Sequence, residues 1–255
     1  MTKAPRVPVI GVLLIGVFYL PAAVMAQQRP PIVDKIAKAH GLDSWDQIEA
    51  IRYTFSIDAE AGALAPGPVK LSRSWVWEPK KGQISYDGPD KAGNPVKVTY
   101  SRSQLATQSG FVKEEVEPAF FNDQYNLLAP FHLVWDTSAT VEDAGMQRLP
   151  LGKGSAEKVV MKYPSEGGFT PGDTWNLFVG SDGRILQLDF HHGGSAKPSV
   201  FTGAFTDYKK VGPLTLSLAH PGKADGKPAR ISFSNVAVKL VGSSTWMDAQ
   251  PLPAG

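Results

Sequence analysis

Most of this chain alternates apolar and polar positions with a period of two, the pattern of β-strands. Two stretches follow the helical period instead. The clearest strand pattern spans residues 173–192, DTWNLFVGSDGRILQLDFHH. It predicts a β-hairpin turned on Asp182-Gly183, a pair that tight two-residue turns favour because both central positions need φ above zero. That turn pairs Trp175 with Phe190, Leu177 with Leu188 and Val179 with Leu186, so one face is continuously apolar. The other face, with Asn176, Phe178, Ile185, Gln187, Asp189 and His191, is mixed. A lone hairpin cannot bury such a face and needs further strands or a helix.

The spacing of Ile32, Val33, Ile36 and Ala37 predicts a helix that Pro31 opens and Gly41 closes. Ser44 with Gln47 three residues later has the form of a capping box for a second short helix, with Trp45 and Ile48 on its apolar side. Strands are expected over 51–57, 69–77, 83–86 and 96–100, separated by turn-forming residues. Between 114 and 136 the pattern becomes helical. Phe121, Tyr125 and Leu128 form a stripe with Phe120 and Leu127 beside it, Pro130 should end or kink the helix, and a short apolar segment follows over 131–135. Strands resume at Val141, at 157–163, in the hairpin, and over 200–208 and 211–218, the last two joined near Lys209-Lys210. In 231–240 the apolar phase slips from Ile231 and Phe233 to Val236, Val238 and Leu240, which predicts a β-bulge near Ser234-Asn235. Residues 243–255 read as a polar tail.

About ten strands with one helical insert, and no alternation of strand and long helix, point to an α+β fold. The expected architecture is a curved antiparallel sheet, an incomplete β-barrel, covered by short helices, with residues 27–242 as a single domain. Residues 1–26 have the layout of a secretory signal peptide: Lys3 and Arg6, an apolar run over 7–20, then Val24-Met25-Ala26 before the cut. Cleavage near Ala26 predicts a periplasmic or secreted protein. Removing Lys3 and Arg6 lowers the 26 basic side chains to 24, against 24 acidic, so charge offers no case for nucleic acid. Cysteine is absent, which excludes disulfides, thiolate metal sites and a cysteine nucleophile.

Catalytic signals are weak. Of the five histidines, His191 and His220 with Asp189, and Asp173 nearby, form the best metal or acid/base set, which would suit a metal-assisted hydrolase. Spaced metal motifs such as H-E-x-x-H are missing, and adjacent His191 and His192 point to opposite faces of a strand. Gly152-Lys153-Gly154-Ser155 lacks phosphate-loop spacing and reads as a surface turn, Gly193-Gly194-Ser195 as a loop, and the pairs Glu114-Glu115 and Glu142-Asp143 as solvated faces. No cofactor is expected.

The unusual feature is aromatic: 6 Trp, 12 Phe and 7 Tyr. Tyr53, Phe55, Trp75, Trp77, Phe121, Tyr125, Leu128, Phe131, Trp175, Leu177, Leu188 and Phe190 would line the inner side of the sheet. Either they fill the core of a structural or interaction module, or they wall a cavity for a hydrophobic small molecule, lipid or acyl chain.

The export signal, the helix, K-A-H-G-L-D-S-W-D-Q-I and the strand I-R-Y-T-F-S-I resemble the start of periplasmic LolA/LolB-like proteins. The hairpin W-N-L-F-V-G-S-D-G-R-I-L-Q-L-D-F followed by F-T-D-Y-K-K-V-G-P-L-T-L is similar to their second half. The resemblance implies a helix-capped incomplete barrel that holds acyl chains or other lipids, without catalysis, and that touches membrane or envelope proteins transiently. The lack of a lipobox cysteine departs from the anchored LolB kind.

Overall fold

The computed structural model describes residues 29–167, 171–193 and 200–253. The export segment over 1–26, and Gly194-Ser195, lie outside the described residues. Helix α1, Pro31–His40, begins on proline and ends at Gly41, whose φ of 83° only glycine adopts without strain. Its Ile32, Val33, Ile36 and Ala37 are buried as the spacing predicts. The expected capping box does not form. The next turn is a 3-10 helix, Leu42–Gln47, that starts directly from Gly41 with no side-chain cap, because the left-handed glycine already redirects the chain.

Strands β1 (Ile48–Ala59), β2 (Val69–Glu78), β3 (Gln83–Pro89) and β4 (Pro95–Ser101) form a meander. A 3-10 turn at Arg102–Thr107 and a π-helical turn at Val112–Val116 lead into helix α2, Glu117–Trp135. Its geometry breaks at Leu128 (φ −110°, ψ 20°), two residues before Pro130, as a proline inside a helix requires. The chain continues through β5 (Thr140–Arg148), β6 (Ser155–Lys162), β7 (Thr174–Val179), β8 (Ile185–His191), β9 (Val200–Ala204), β10 (Thr206–Val211), β11 (Leu214–Ala224) and β12 (Lys227–Leu240). Two short strands, β13 (Trp246–Asp248) and β14 (Gln250–Pro251), complete it.

All fourteen described strands belong to one large sheet, with the main order β4-β3-β2-β1-β12-β11-β9-β8-β7-β6-β5. The sheet is antiparallel and curved, and it does not close into a barrel. One hydrophobic cluster joins its inner face to α1 and α2. Among the described residues no helix is long and apolar enough to cross a membrane.

Four further expectations need correction. Trp175 faces Phe190 and Leu177 faces Leu188, but Val179 faces Ile185 rather than Leu186. The loop holds three residues, Ser181-Asp182-Gly183. Gly183 N–H donates to the Gly180 carbonyl and Gly180 N–H to the Arg184 carbonyl, with φ positive at Gly183. A turn followed by a left-handed glycine adds one residue to the returning strand, so Leu186 bulges outward and Ile185 takes the buried position. The segment 200–208 is two strands. Phe205 breaks it, Asp207 has φ 51°, and the two parts meet different partners on β11. The turn into β11 lies at Gly212 and not at Lys209-Lys210. The tail is not free: β13 pairs β12 and β14 pairs β10, with Arg52 reaching Asp248 at 2.8 Å and lying over the Trp246 ring at 4.8 Å. The bulge expected in the last long strand is present. The pairing shifts between Arg52–Ala237 and Thr54–Ser234, and Asn235 takes φ 53°.

Candidate functional site

Side chains alternate across a strand, so the odd positions of β1 and β2 share the inner face: Tyr53, Phe55, Trp75 and Trp77. From the other half of the sheet, Trp175, Leu177, Leu188 and Phe190 face the same way. Helix α2 lies against them with Phe121, Tyr125, Leu128 and Phe131. All twelve predicted inner residues therefore meet in one apolar cluster. Trp77, Phe121 and Phe190 are half-buried and the others are buried. Ring contacts run through the layer: Trp75 to Phe120 at 5.5 Å, Tyr125 to Trp175 at 6.0 Å, and Trp175 to Phe190 at 4.6 Å between centroids.

What fixes α2 over this face is polar, and the sequence reading missed it. Arg73 Nε and Nη2 donate to the two carboxylate oxygens of Asp123 at 2.8 and 2.5 Å, and Trp75 Nε1 donates to Asp123 Oδ2 at 2.8 Å. Burial pushes the Asp123 carboxyl up, while the Arg73 fork and the indole hold the charged form in place. Nearly two turns earlier, Glu117 accepts from Arg102 Nε at 2.9 Å and from the Tyr100 hydroxyl. At the C-terminal end, Asp136 Oδ2 accepts from Tyr125 at 2.5 Å and also from the Tyr163 hydroxyl, with His132 Nδ1 at 3.0 Å. Burial opposes ionisation of Asp136, but these donors outweigh it and hold the carboxyl below its usual range. The available signal was the run Asp123, Gln124, Asn126 inside an aromatic helix, polar groups that a helix buried on most sides must satisfy.

Several buried polar atoms are unmet: Tyr53 Oη, Trp175 Nε1 and Nε2 of His40 have no partner, and the His220 ring has only the Ser217 backbone beside its two nitrogens. Tyr53 and His220 flank the same Phe233 ring, at 6.1 and 5.6 Å between centroids, and His220 stacks on Phe205 at 3.9 Å. Burial pushes His220 down to about 3, so the ring is neutral. Burial likewise pushes His40 down to about 4, although its Nδ1 meets the Thr215 carbonyl at 2.8 Å.

The expected metal set does not assemble. His191 meets Asp189 at 2.9 Å on the outer face, since Leu188 and Phe190 occupy the inner positions of β8, whereas His220 lies fully buried inside. Asp173 pairs with His192 at 3.0 Å instead. Among the described residues no three histidine or acidic side chains are grouped to hold a metal ion. Gly152-Lys153-Gly154 forms the exposed turn between β5 and β6, closed by Leu149 N–H to the Gly154 carbonyl.

A groove of about 410 Å³ opens beside the N-terminal end of α2. Leu71, Arg73, Tyr86, Phe111, Pro118 and Asn122 line it, so it runs from the surface to the Arg73–Asp123 pair and the edge of the aromatic layer. That volume falls within the ordinary range of small-molecule sites.

No protein-family model matches the chain, and no curated protein matches it. Among solved structures it is similar to a DUF1329 family protein from Desulfovibrio piger, at 10% sequence identity over 85% of this chain and 96% of that one, with a TM-score of 0.45.

Proposed function

We propose that this protein is a binding protein of the cell envelope that holds a hydrophobic ligand, a lipid or acyl chain, between the inner face of its curved sheet and helix α2. The observation that carries this reading is the set of unmet polar atoms on that face, Tyr53 Oη, Trp175 Nε1 and at least one nitrogen of His220. A core evolved only to be filled would place apolar atoms there, because each buried donor left unmet costs about 1–3 kcal/mol. The twelve aromatic and aliphatic residues supply the walls, and α2, anchored by the Arg73–Asp123 and Arg102–Glu117 pairs, is the cover. The groove at the N-terminal end of α2 is the natural entry. The sequence resemblance to LolA/LolB-like carriers and the export pattern of residues 1–26 support a periplasmic or secreted site of action, with transient contacts to the membrane or to envelope proteins.

Native mass spectrometry of mature protein purified from its own host should show a bound, extractable lipid. The delipidated protein should take up the neutral dye N-phenylnaphthylamine with a rise in fluorescence. Ligand-free protein together with no dye uptake would refute the reading.

A further inference from the structure

We infer that the ligand's head is uncharged and accepts hydrogen bonds, as an ester, ketone or alcohol does, and that Tyr53 and His220 read it beside Phe233. This rests on the carrier reading above and specifies the chemistry of the same site.

The three residues stand on adjacent strands. Phe55 of β1 faces Phe233 of β12, and Ile231, two residues before Phe233, faces both Ile57 of β1 and His220 of β11. Tyr53 and His220 thus both pack against the Phe233 ring on the inner face, and both are almost wholly enclosed. The Tyr53 hydroxyl is a donor and an acceptor, and the neutral imidazole offers one of each. The Tyr53 hydroxyl lacks a protein partner, and the Ser217 backbone can meet no more than one nitrogen of His220, so at least one ring nitrogen is unmet. Trp175 Nε1, a donor only, is a further unpartnered group beyond Tyr125. A plain hydrocarbon would leave these groups unmet, and sites built to hydrogen-bond a ligand discriminate strongly against analogues that cannot.

Charge excludes the opposite case. Two arginines lie over rings beside the N-terminal half of α2. Arg73 lies over the Phe55 ring at 5.3 Å and Arg102 over the Phe121 ring at 4.8 Å. Each is already matched: Arg73 is held by both oxygens of Asp123, and Arg102 by Glu117, and both carboxylates are completely buried. The buried histidines on this side, His40 and His220, are neutral. A carboxylate or phosphate head drawn in beside these arginines would find its own charge uncompensated, next to two carboxylates that already hold them.

The test is displacement of N-phenylnaphthylamine from the delipidated full chain at about pH 7.5 by methyl laurate, laurate and dodecane, which share one chain length. Methyl laurate should displace the dye at a concentration at least about tenfold below either of the others. Tyr53→Phe removes only an unpartnered hydroxyl, so the fold should persist, and the ester's advantage over dodecane, both measured against the variant's own dye affinity, should fall by about tenfold. Dye binding with laurate as effective as the ester would overturn this inference and leave the carrier reading standing. An ester preference unchanged in Tyr53→Phe would overturn the role given to Tyr53. Failure of the dye to bind, together with native protein that carries no lipid, would overturn the carrier reading itself.

Discussion

Acid should destabilise this protein through its buried histidines, and His220 gives the cleanest measurement. An unfolded histidine titrates near 6.5, whereas burial lowers His220 to about 3 and His40 to about 4. A depressed folded value means that the unfolded chain takes up protons first as the pH falls. The stability is therefore complete above the unfolded value and is lost progressively between 6.5 and the folded values. At about 1.4 kcal/mol per unit, each ring gives up about 2 kcal/mol between about pH 7.5 and about pH 5, or about 4 kcal/mol for the pair. That is a large part of the stability of an ordinary domain. His220→Phe isolates one share. The ring lies between Phe205 and Phe233, and its only polar neighbour is the Ser217 backbone, so phenylalanine keeps the ring packing and gives up at most that one weak contact. Urea unfolding of the delipidated wild type and variant at the two pH values gives the comparison, since all other titrating groups are common to both. The wild type should lose about 2 kcal/mol more than the variant. Equal losses, or a His220 ring whose NMR signals titrate near the ordinary histidine value, would refute the reasoning.

Three further outcomes follow from packing and charge. Asp123→Asn should cost about 3–5 kcal/mol in chemical denaturation by stranding the Arg73 guanidinium, and Arg73→Met in the same chain should recover part of the loss. Gly41→Ala should cost at least about 2 kcal/mol, read as a fall in melting temperature. Its φ is 83° and a methyl group would lie 2.5 Å from the Pro213 carbonyl oxygen, whereas Gly145→Ala, with positive φ but open space, should cost only the strain of about 1 kcal/mol. Asp248→Asn should change stability by less than about 1 kcal/mol, and the difference should vanish in high salt, because the Arg52–Asp248 pair is exposed.

Much of this architecture was legible because strands announce themselves by alternation. β1 to β4, β6 to β8 and β12 lie close to their predicted spans, and the bulge at Asn235 followed from a slip of apolar phase alone. The hairpin register was right as far as Phe178–Gln187 and then failed, because Asp-Gly fits a two-residue turn and a three-residue loop equally well. The division of 200–208 was invisible, since nothing local tells a strand to leave one neighbour for another. The inner residues could be named from pattern, but the ties of α2 could not. Arg73 and Asp123 are fifty residues apart, and their meeting depends on how the helix lies over the sheet. The metal set failed for a local reason that period two contains, the opposite faces of Leu188 and Asp189.

The strand order has a consequence for how the chain acquires its shape. β1 to β4 form one leaf of the sheet and β5 to β9 another, and each can zip up from neighbours in sequence. Within the described sheet the leaves are joined through β11 and β12, so β1 waits for a partner roughly 180 residues downstream. Until that segment arrives, the inner edge of the first leaf lies open with Tyr53 and Phe55 uncovered, and closure of so long a loop makes the final joining slow. The last long strand is therefore the clasp of the molecule. A chain cut before it would present two unmatched sheet edges, the form in which β-proteins most readily aggregate.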